Sequence, residues 1–527
     1  MKRVFRQMLG WSLMLALPLM MTSCEWFWDV IDNPITPALH VSKVNVTMKV
    51  GESLPLRANT QPHVVLLYAS ANPAVATVDA EGVVTAIAEG TTTITIKAQG
   101  EDEYYRTEIF GENTKTVEVT VTKKEGSISF ATADFTKHVG DAAFTNPITI
   151  VGDGTVSYSS DNEEVAKVNP TTGEVTIVGK GLATIKASTI DTDLFAYKTK
   201  TTQYTLKVYR FIDLSTLTSD FTAENYDALT GTLAGNYKIS IAAGANVELK
   251  NVTINGVNDV AYKWAGLTCL YDANITITGA NSVKGFYENF PGIQAGPVGT
   301  TLTISGTGSL TATGGDFAAG IGSGFNGSSC GHITISGGTV TASSSKYGAG
   351  IGSGYADSSC GNITISGGTV YASSNEDGAG IGSGYYNSSC GNITISGGTV
   401  YASSNEDGAG IGSGYDGSSC GAITISGGTV NASSGQYGAG IGSGLGSTFG
   451  SISITAGITQ VQATRNDSYA WPIGKGDSDQ GSTGAVTIND VTVTSKDWDG
   501  TGLTDLNFAT SSTDGDNLIW TLTPKVP

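Results

Sequence analysis

Basic residues and histidines are scarce in this chain of 527 residues. Lysine and arginine total 28 against 47 acidic residues, which gives a formal net charge of −19. Proteins that bind nucleic acid use Lys and Arg to displace phosphate counterions, so this composition excludes nucleic acid as a partner. The four histidines, His40, His63, His138 and His332, lie far apart in the sequence. They predict no metal site, and no cofactor is expected.

Long apolar runs are also rare, and the one near the N-terminus is too short to span a bilayer comfortably. Basic residues within the first six positions precede an apolar stretch from Met8 to Met21. A positive segment followed by a short apolar core is typical of a secretory signal peptide, whereas a membrane-spanning helix needs about 20 apolar residues. We therefore predict that residues 1–23 are a signal peptide.

The apolar run ends at Met21-Thr22-Ser23-Cys24. This run resembles a lipobox, in which small residues precede a cysteine that becomes lipid-modified, although Met21 stands where leucine is usual. The resemblance implies a lipid anchor on Cys24, as the only contact with the membrane, followed by a tether over residues 24–38. The alternative is an ordinary secretory signal with an incidental cysteine.

Acidic residues follow this cysteine directly, at Glu25, Asp29 and Asp32. They resemble the export signal of surface lipoproteins in some Gram-negative bacteria. The resemblance implies that the chain is anchored in the outer membrane and exposed at the cell surface.

Two stretches after the tether combine short alternating strands with frequent turn residues, which predicts β-sandwiches. Residues 39–122 include the run from Ser70 to Asp79 and then Gly82-Val83-Val84-Thr85-Ala86. These runs closely resemble the group 2 bacterial Ig-like domain. Residues 127–209 carry a second copy, with a matching run from Ser159 to Val168. The resemblance implies two rigid spacers.

Near-identical repeats of 30 residues occupy about residues 320–450, and residues 361–390 differ from residues 391–420 at only two positions. Each repeat alternates apolar and polar residues between glycine-rich turns and lacks the 3.6-residue periodicity of helical repeats. Three short strands and three turns fit one coil of a β-solenoid. We predict a right-handed parallel β-helix with terminal caps over residues 210–527, and an all-β fold overall. The repeated Gly-Ala-Gly-Ile-Gly-Ser-Gly resembles β-helix regions of bacterial surface proteins, some of which are labelled carbohydrate-binding.

Coils of such a helix stack at about 4.8 Å, so residues 30 positions apart are expected to form ladders. Two inner ladders are expected, Ile333/Ile363/Ile393/Ile423 and Ile351/Ile381/Ile411/Ile441. The cysteines Cys330, Cys360, Cys390 and Cys420 recur at the same period. They form either a reduced ladder of buried thiols or disulfides between neighbouring coils, such as Cys330–Cys360.

Outer aromatic columns supply the candidate ligand-binding residues. One column contains Phe325, Tyr355, Tyr385 and Tyr415, and the other contains Tyr371 and Tyr401. Exposed aromatic rings at the coil spacing can stack on sugar rings. The alternative is that each column stabilises its own turn.

An acidic turn recurs in two neighbouring coils, as Asn375-Glu376-Asp377 and Asn405-Glu406-Asp407. Carboxylates stacked this closely repel one another unless they are hydrated or bridged by a cation such as calcium. The flanking coils carry Lys346 and Gln436 in place of the glutamates. We therefore expect a solvated turn here.

The repetition also bears on function. Polysaccharide lyases and glycosidases of β-helix fold need carboxylates or a base at unique positions, whereas repeats copy every position. The sequence therefore predicts no enzyme but an adhesin-like, lipid-anchored surface protein whose β-helix binds glycans or cell-surface proteins. A carbohydrate-active enzyme of β-helix fold and a purely structural surface component are the alternatives.

Overall fold

The computed structural model describes residues 37–62, 64–100, 113–466, 469–477, 484–493, 509–514 and 517–524. Cys24 and the predicted signal peptide lie outside these residues. The described chain is built of strands, with one 3-10 turn at Leu214–Thr216. None of its helical structure is long and apolar enough to cross a membrane. Two β-sandwiches precede a parallel β-helix, which confirms the predicted all-β fold class.

The first sandwich packs a four-stranded sheet against a three-stranded sheet, beside a two-stranded ribbon. Apolar side chains alternate along its strands, so that Ile94, Ile96 and Val119 point between the sheets and are fully buried. Its strands are Leu39–His40, Asn45–Lys49, Ser53–Pro55, Asn59–Thr60, Val64–Ser70, Ala76–Val78, Val83–Ala86, Gly90–Gly100 and Asn113–Thr122.

The second sandwich is built in the same way, and its core is formed around Ile185, Tyr204 and Leu206. The Tyr204 ring packs edge-on against Phe130, with ring centroids 4.8 Å apart. Its strands are Lys124–Phe130, Asp134–His138, Phe144–Thr145, Ile148–Val151, Ser157–Ser160, Ala166–Val168, Glu174–Ile177, Gly181–Ser188, Phe195–Thr199 and Thr201–Asp213.

The β-helix has three faces, each a stack of parallel strands. The first face comprises Asp227–Thr232, Ala245–Ile254, Ala273–Thr278, Thr301–Gly306, His332–Ile335, Ile363–Ile365, Ile393–Ile395, Ile423–Ile425, Ile452–Ile454 and Val486–Ile488. The second face comprises Ala280–Lys284, Ser309–Thr313, Thr339–Ser344, Thr369–Ser374, Thr399–Ser404, Gly428–Ser433 and Ile458–Arg465.

The third face is a ten-stranded sheet of very short strands. They are Phe221–Ala223, Ile239–Ile241, Leu267–Cys269, Ile293–Gln294, Ile321–Gly322, Ile351–Gly352, Ile381–Gly382, Ile411–Gly412, Ile441–Gly442 and Ile473–Gly474. A smaller four-stranded sheet lies, in chain order, between the third face of one coil and the first face of the next coil. Its strands are Ser359–Cys360, Ser389–Cys390, Ser419–Cys420 and Thr448–Phe449.

The predicted inner ladders are confirmed. Ile333, Ile363 and Ile393 pair in register on the first face, and Ile351 and Ile381 do so on the third. All of these side chains are fully buried. Burying an isoleucine stabilises the fold by roughly 1.5–3 kcal/mol, and each coil gains this stabilisation only because the next coil covers it.

From Ile321–Gly322 onward, glycine follows isoleucine on the third face, where the coils approach very closely. Gly382 has φ 141° and Gly412 has φ 140°, in the region that disfavours residues with a Cβ. A Cβ built on Gly382 would overlap the carbonyl group of Gly412 in the next coil. The Ile-Gly pair therefore combines an inner apolar side chain with the only residue that permits this approach.

One strand is shared between the second sandwich and the β-helix. The first part of Thr201–Asp213 pairs antiparallel with Gly181–Ser188 inside the sandwich. Its last four residues, from Arg210 on, pair in parallel with Asp227–Thr232 of the first coil. The backbone hydrogen bonds of the sandwich thus continue into the solenoid, and the second sandwich covers the N-terminal end of the stack.

Buried carboxylates reinforce this junction. Asp227 is fully buried, and one carboxylate oxygen accepts hydrogen bonds from Lys180 Nζ at 2.8 Å and Arg210 Nη2 at 2.9 Å. Glu248 is also buried and accepts from His138 Nε2 at 2.5 Å and Thr278 Oγ1 at 2.6 Å. Burial opposes ionisation of Glu248, but these two hydrogen bonds outweigh it and hold its pKa below the ordinary value.

The C-terminal strand ends the stack. Asn517–Leu522 pairs antiparallel with Ile458–Arg465, the last strand of the second face, and with Ala509–Asp514. Trp520 is fully buried at this end. A short strand, Val491–Thr492, folds back on Val486–Ile488 in the same antiparallel sense. Antiparallel pairing thus ends the parallel repeat on the first and second faces.

Candidate functional site

The second face carries the outward side chains that form the candidate site. In strand Thr369–Ser374, Val370 and Ala372 are buried, whereas Tyr371 and Ser373 point outward. In-register pairing with the next coil repeats this alternation. The outward residues therefore form straight columns that run along the coil axis.

Tyr371 and Tyr401 are the exposed members of these columns. Their rings are stacked, with centroids 4.9 Å apart and planes only 6° from parallel. Their exposed fractions are 43% and 40%. Because the separation equals the coil spacing, the two rings stack with an offset, and each ring covers part of one face of the other.

A groove of about 430 Å³ begins at this pair and runs toward the C-terminal end of the helix. We call it the tyrosine groove. Its two columns of outward side chains are Tyr371, Tyr401, Asn431 and Gln462, and Ser373, Ser403, Ser433 and Thr464. All of its lining side chains are uncharged.

Of these outward residues the sequence analysis named only Tyr371 and Tyr401, and it missed the hydroxyl column and the amides Asn431 and Gln462. Asn431 lies 30 positions after Tyr401 and could have been found by counting repeats. Gln462 follows Asn431 by 31 positions, because an irregularity at Gly428/Thr429 shifts the register of the last strand. Only the strand pairing places Gln462 in the tyrosine column.

The other predicted column, Tyr355, Tyr385 and Tyr415, has a different environment. Tyr385 stacks on both of its neighbours at 5.1 Å. These side chains are half-buried, and Tyr347 packs against Tyr355 and Tyr385 at 5.5 and 5.6 Å. Burial raises the pKa of Tyr385 to about 12. This packing favours stabilisation of the turn over ligand binding for this column.

The acidic turns lie beside that aromatic column. Asp377 and Asp407 occupy the position that Phe317 and Tyr347 hold in earlier coils, and both carboxylates are partly buried. The backbone N–H of Asp407 donates to the carboxylate of Asp377, but burial and the negative charge of Asp407 raise the pKa of Asp377 to about 6. The turn is thus less solvated than the sequence suggested.

Replacing Asp377 by asparagine is expected to stabilise the protein at pH 7. The folded state binds a proton at Asp377 more tightly than the unfolded state, so stability from this group is complete below pH 3.8 and is lost as pH rises through about 6. The asparagine removes that loss, and its side-chain oxygen still accepts from Asp407. We expect a gain of about 1–2 kcal/mol at pH 7, since partial solvation reduces the full effect of the shift.

Thermal melts of both proteins at pH 7 and pH 4 measure this effect. The variant should melt higher at pH 7, and the two curves should converge at pH 4. Asp357→Asn is the control, because this exposed aspartate lies in the tip of a turn away from the pair. Equal melting temperatures for wild type and Asp377→Asn at pH 7 would contradict the assignment.

The cysteine column is buried inside the helix. Cys360 and Cys390 pair in register, as do Cys390 and Cys420. Together with Cys330 and Cys269 they are free thiols in the structure. The Cys360 thiol donates to the carbonyl oxygen of Gly331 at 3.8 Å, and the next two coils repeat this contact. Within the described part of the chain, no group of three His, Cys, Asp or Glu side chains is placed to hold a metal ion.

Comparison with known protein families assigns the three parts of the chain separately. Residues 35–105 match the bacterial Ig-like domain (group 2), and residues 151–191 match the intimin immunoglobulin-like domain. The sequence resemblance named the group 2 bacterial Ig-like domain for both sandwiches, but the second sandwich matches the intimin family instead. The beta helix repeat matches residues 302–325, 333–355, 363–385, 393–415 and 423–445. None of these family descriptions names an enzyme. No curated protein matches the chain.

Solved structures resemble the chain only weakly. Domains 4 and 5 of the S-layer protein SbsC share 19% identity over 33% of this chain and 98% of theirs, with a TM-score of 0.21. Human protocadherin-24 EC1-2 shares 15% identity over 34% of this chain and 99% of its own, with a TM-score of 0.17. An intimin fragment was solved in complex with the intimin-binding domain of its translocated receptor. It shares 14% identity over 27% of this chain and 50% of its own, with a TM-score of 0.13. Scores this low support no conclusion about function. The assignment of this chain therefore rests on the family matches, which identify Ig-like domains followed by beta helix repeats.

Proposed function

We propose that this protein is an adhesin-like, lipid-anchored protein of the outer cell surface. Cys24 carries the lipid, the two Ig-like sandwiches act as spacers, and the β-helix is the unit that binds a glycan or a cell-surface protein. The membrane is contacted through the lipid alone.

The shared strand is the observation that carries this proposal. Because Thr201–Asp213 belongs both to the second sandwich and to the first coil, the spacer and the β-helix form one continuous sheet. A protein that holds a binding surface away from a membrane needs such a stiff connection, whereas a flexible linker would let the two parts move independently. The matches to Ig-like and beta helix families agree with this arrangement.

Replacing Cys24 by alanine is expected to abolish lipid attachment. In a Gram-negative host fed an alkyne-tagged fatty acid, wild type should carry the label and sediment with membranes. The Cys24→Ala variant should lack the label and remain soluble. Met21→Leu is the matched control, since it completes the lipobox and should keep both the label and the membrane association.

Protease treatment of intact cells then tests the side of the membrane. Surface exposure predicts digestion of the wild-type protein while periplasmic proteins remain intact. An unlabelled wild type, or a labelled protein that resists the protease until cells are broken, would contradict the proposal. Release of reducing ends from a polysaccharide by the purified protein would instead establish the enzyme alternative.

A further inference from the structure

The tyrosine groove presents one open aromatic face. Tyr371 covers one face of Tyr401, and the residue paired with Tyr401 on the other side is Asn431. An asparagine side chain is shorter than a tyrosine ring, so the second face of Tyr401 is left as a wall at the start of the groove. Such an amphipathic ring offers a flat apolar surface with a polar edge.

The polar groups beyond this wall are available to a ligand. Among the described residues, the side-chain amides of Asn431 and Gln462 have no hydrogen-bond partner in the protein. Each amide offers two donors and one acceptor oxygen. The hydroxyl groups of Ser433 and Thr464 lie in the adjacent column. The groove therefore combines one aromatic face with a dense set of uncharged donors and acceptors.

These features select among classes of ligand. An acidic polysaccharide would require cationic partners, and none lines the groove. A protein interface is usually centred on several large apolar or arginine anchors, whereas the apolar surface here is a single ring face. A neutral sugar needs a flat apolar surface for its ring and uncharged donors and acceptors for its hydroxyl groups, and the groove supplies both.

We propose that the tyrosine groove binds a neutral polysaccharide. One pyranose ring stacks on the open face of Tyr401, and hydroxyl groups of that unit and its neighbours form hydrogen bonds with Asn431 and Gln462. This inference rests on the proposed role of the β-helix as the binding unit and names its ligand class.

Affinity electrophoresis of the full chain in detergent tests the groove. The gels contain soluble neutral polysaccharides (mixed-linkage β-glucan, xylan or α-mannan), and one gel contains polygalacturonate. A neutral polymer should retard the wild type, and polygalacturonate should not. Tyr401→Ala should weaken binding to that polymer at least about tenfold, equivalent to about 1.4 kcal/mol, and Tyr401→Phe should retain most of it because the ring face remains.

Tyr386→Ala is the matched control, because this tyrosine has an exposed fraction of 41% but lies on a turn outside the groove. It should bind like wild type, and Gln462→Ala should bind several-fold more weakly. Melting temperatures of all variants separate loss of binding from loss of fold. Wild-type affinity in Tyr401→Ala would overturn the inference, as would retardation by polygalacturonate alone or by no polymer.

These outcomes are separable from those of the proposed function. A wild-type protein that is lipidated and surface-exposed but ignores neutral polymers would leave the surface role intact and overturn the groove. A protein that binds a neutral polymer through Tyr401 but carries no lipid would support the groove and contradict the lipid-anchored surface role.

Discussion

Replacing Gly382 by alanine is expected to destabilise the protein by about 4 kcal/mol, at the upper end of single-substitution effects. The new Cβ would overlap the carbonyl group of Gly412, and this backbone is held between coils on both sides. It cannot move without breaking hydrogen bonds such as that from the Ile381 N–H to the carbonyl of Gly410, 3.0 Å long. Because a coil is stable only against its neighbours, the defect should spread to adjacent coils.

Calorimetric melting of the full chain measures this effect, and Gly327→Ala is the matched control. Gly327 also has a positive φ, 70°, but a Cβ there meets nothing within 4 Å. Its replacement should cost only about 1 kcal/mol, the conformational penalty alone. If the two variants melt at the same temperature, close packing of coils is not the reason for glycine at position 382.

Removing both cations from the junction should destabilise it by about 3–5 kcal/mol, the usual cost of leaving a buried charge unpaired. In the double variant Lys180→Met/Arg210→Met, the fully buried Asp227 keeps a hydrogen bond from the backbone N–H of Glu224 at 2.9 Å. That single neutral donor does not compensate the carboxylate. We expect the second sandwich and the first coils to unfold at a lower temperature than the remaining coils.

Adding Asp227→Asn to the double variant supplies the decisive comparison. The neutral amide no longer needs a cation, so much of the lost stability should return. Calorimetry of the wild type, the double and the triple variant measures this directly. A double variant that melts like wild type, or a triple variant no more stable than the double, would show that the ion pairs do not hold the junction together.

Much of the solenoid could be predicted from the sequence because the interactions that define it are local and repeated. Alternation in Ile363-Thr364-Ile365 determines which side chains point inward. The 30-residue period brings Ile363 onto Ile393 without any knowledge of the rest of the chain. Two resemblances, to Ig-like domains and to β-helix repeats, extended this reasoning to the architecture, and the structure confirms the fold class.

The candidate site was less predictable, because it depends on what lies beside each column. The sequence predicts both tyrosine columns as outer aromatic columns, yet Tyr385 is enclosed by neighbouring rings whereas Tyr401 is exposed. Gln462 enters the groove only through a shift in strand register. The acidic turn was expected to be solvated, but packing beside the aromatic column desolvates Asp377.

The sequence by itself therefore determined the coil, its inward residues and the order of the domains, since these follow from alternation and period along one chain. The tertiary structure alone decided that Tyr401 stays exposed while Tyr385 is enclosed, and that Gln462 enters the tyrosine column. It also decided that Thr201–Asp213 joins the second sandwich to the first coil. The physical reason is that exposure, desolvation and pairing depend on neighbours contributed by other coils and another domain, and no local pattern specifies them.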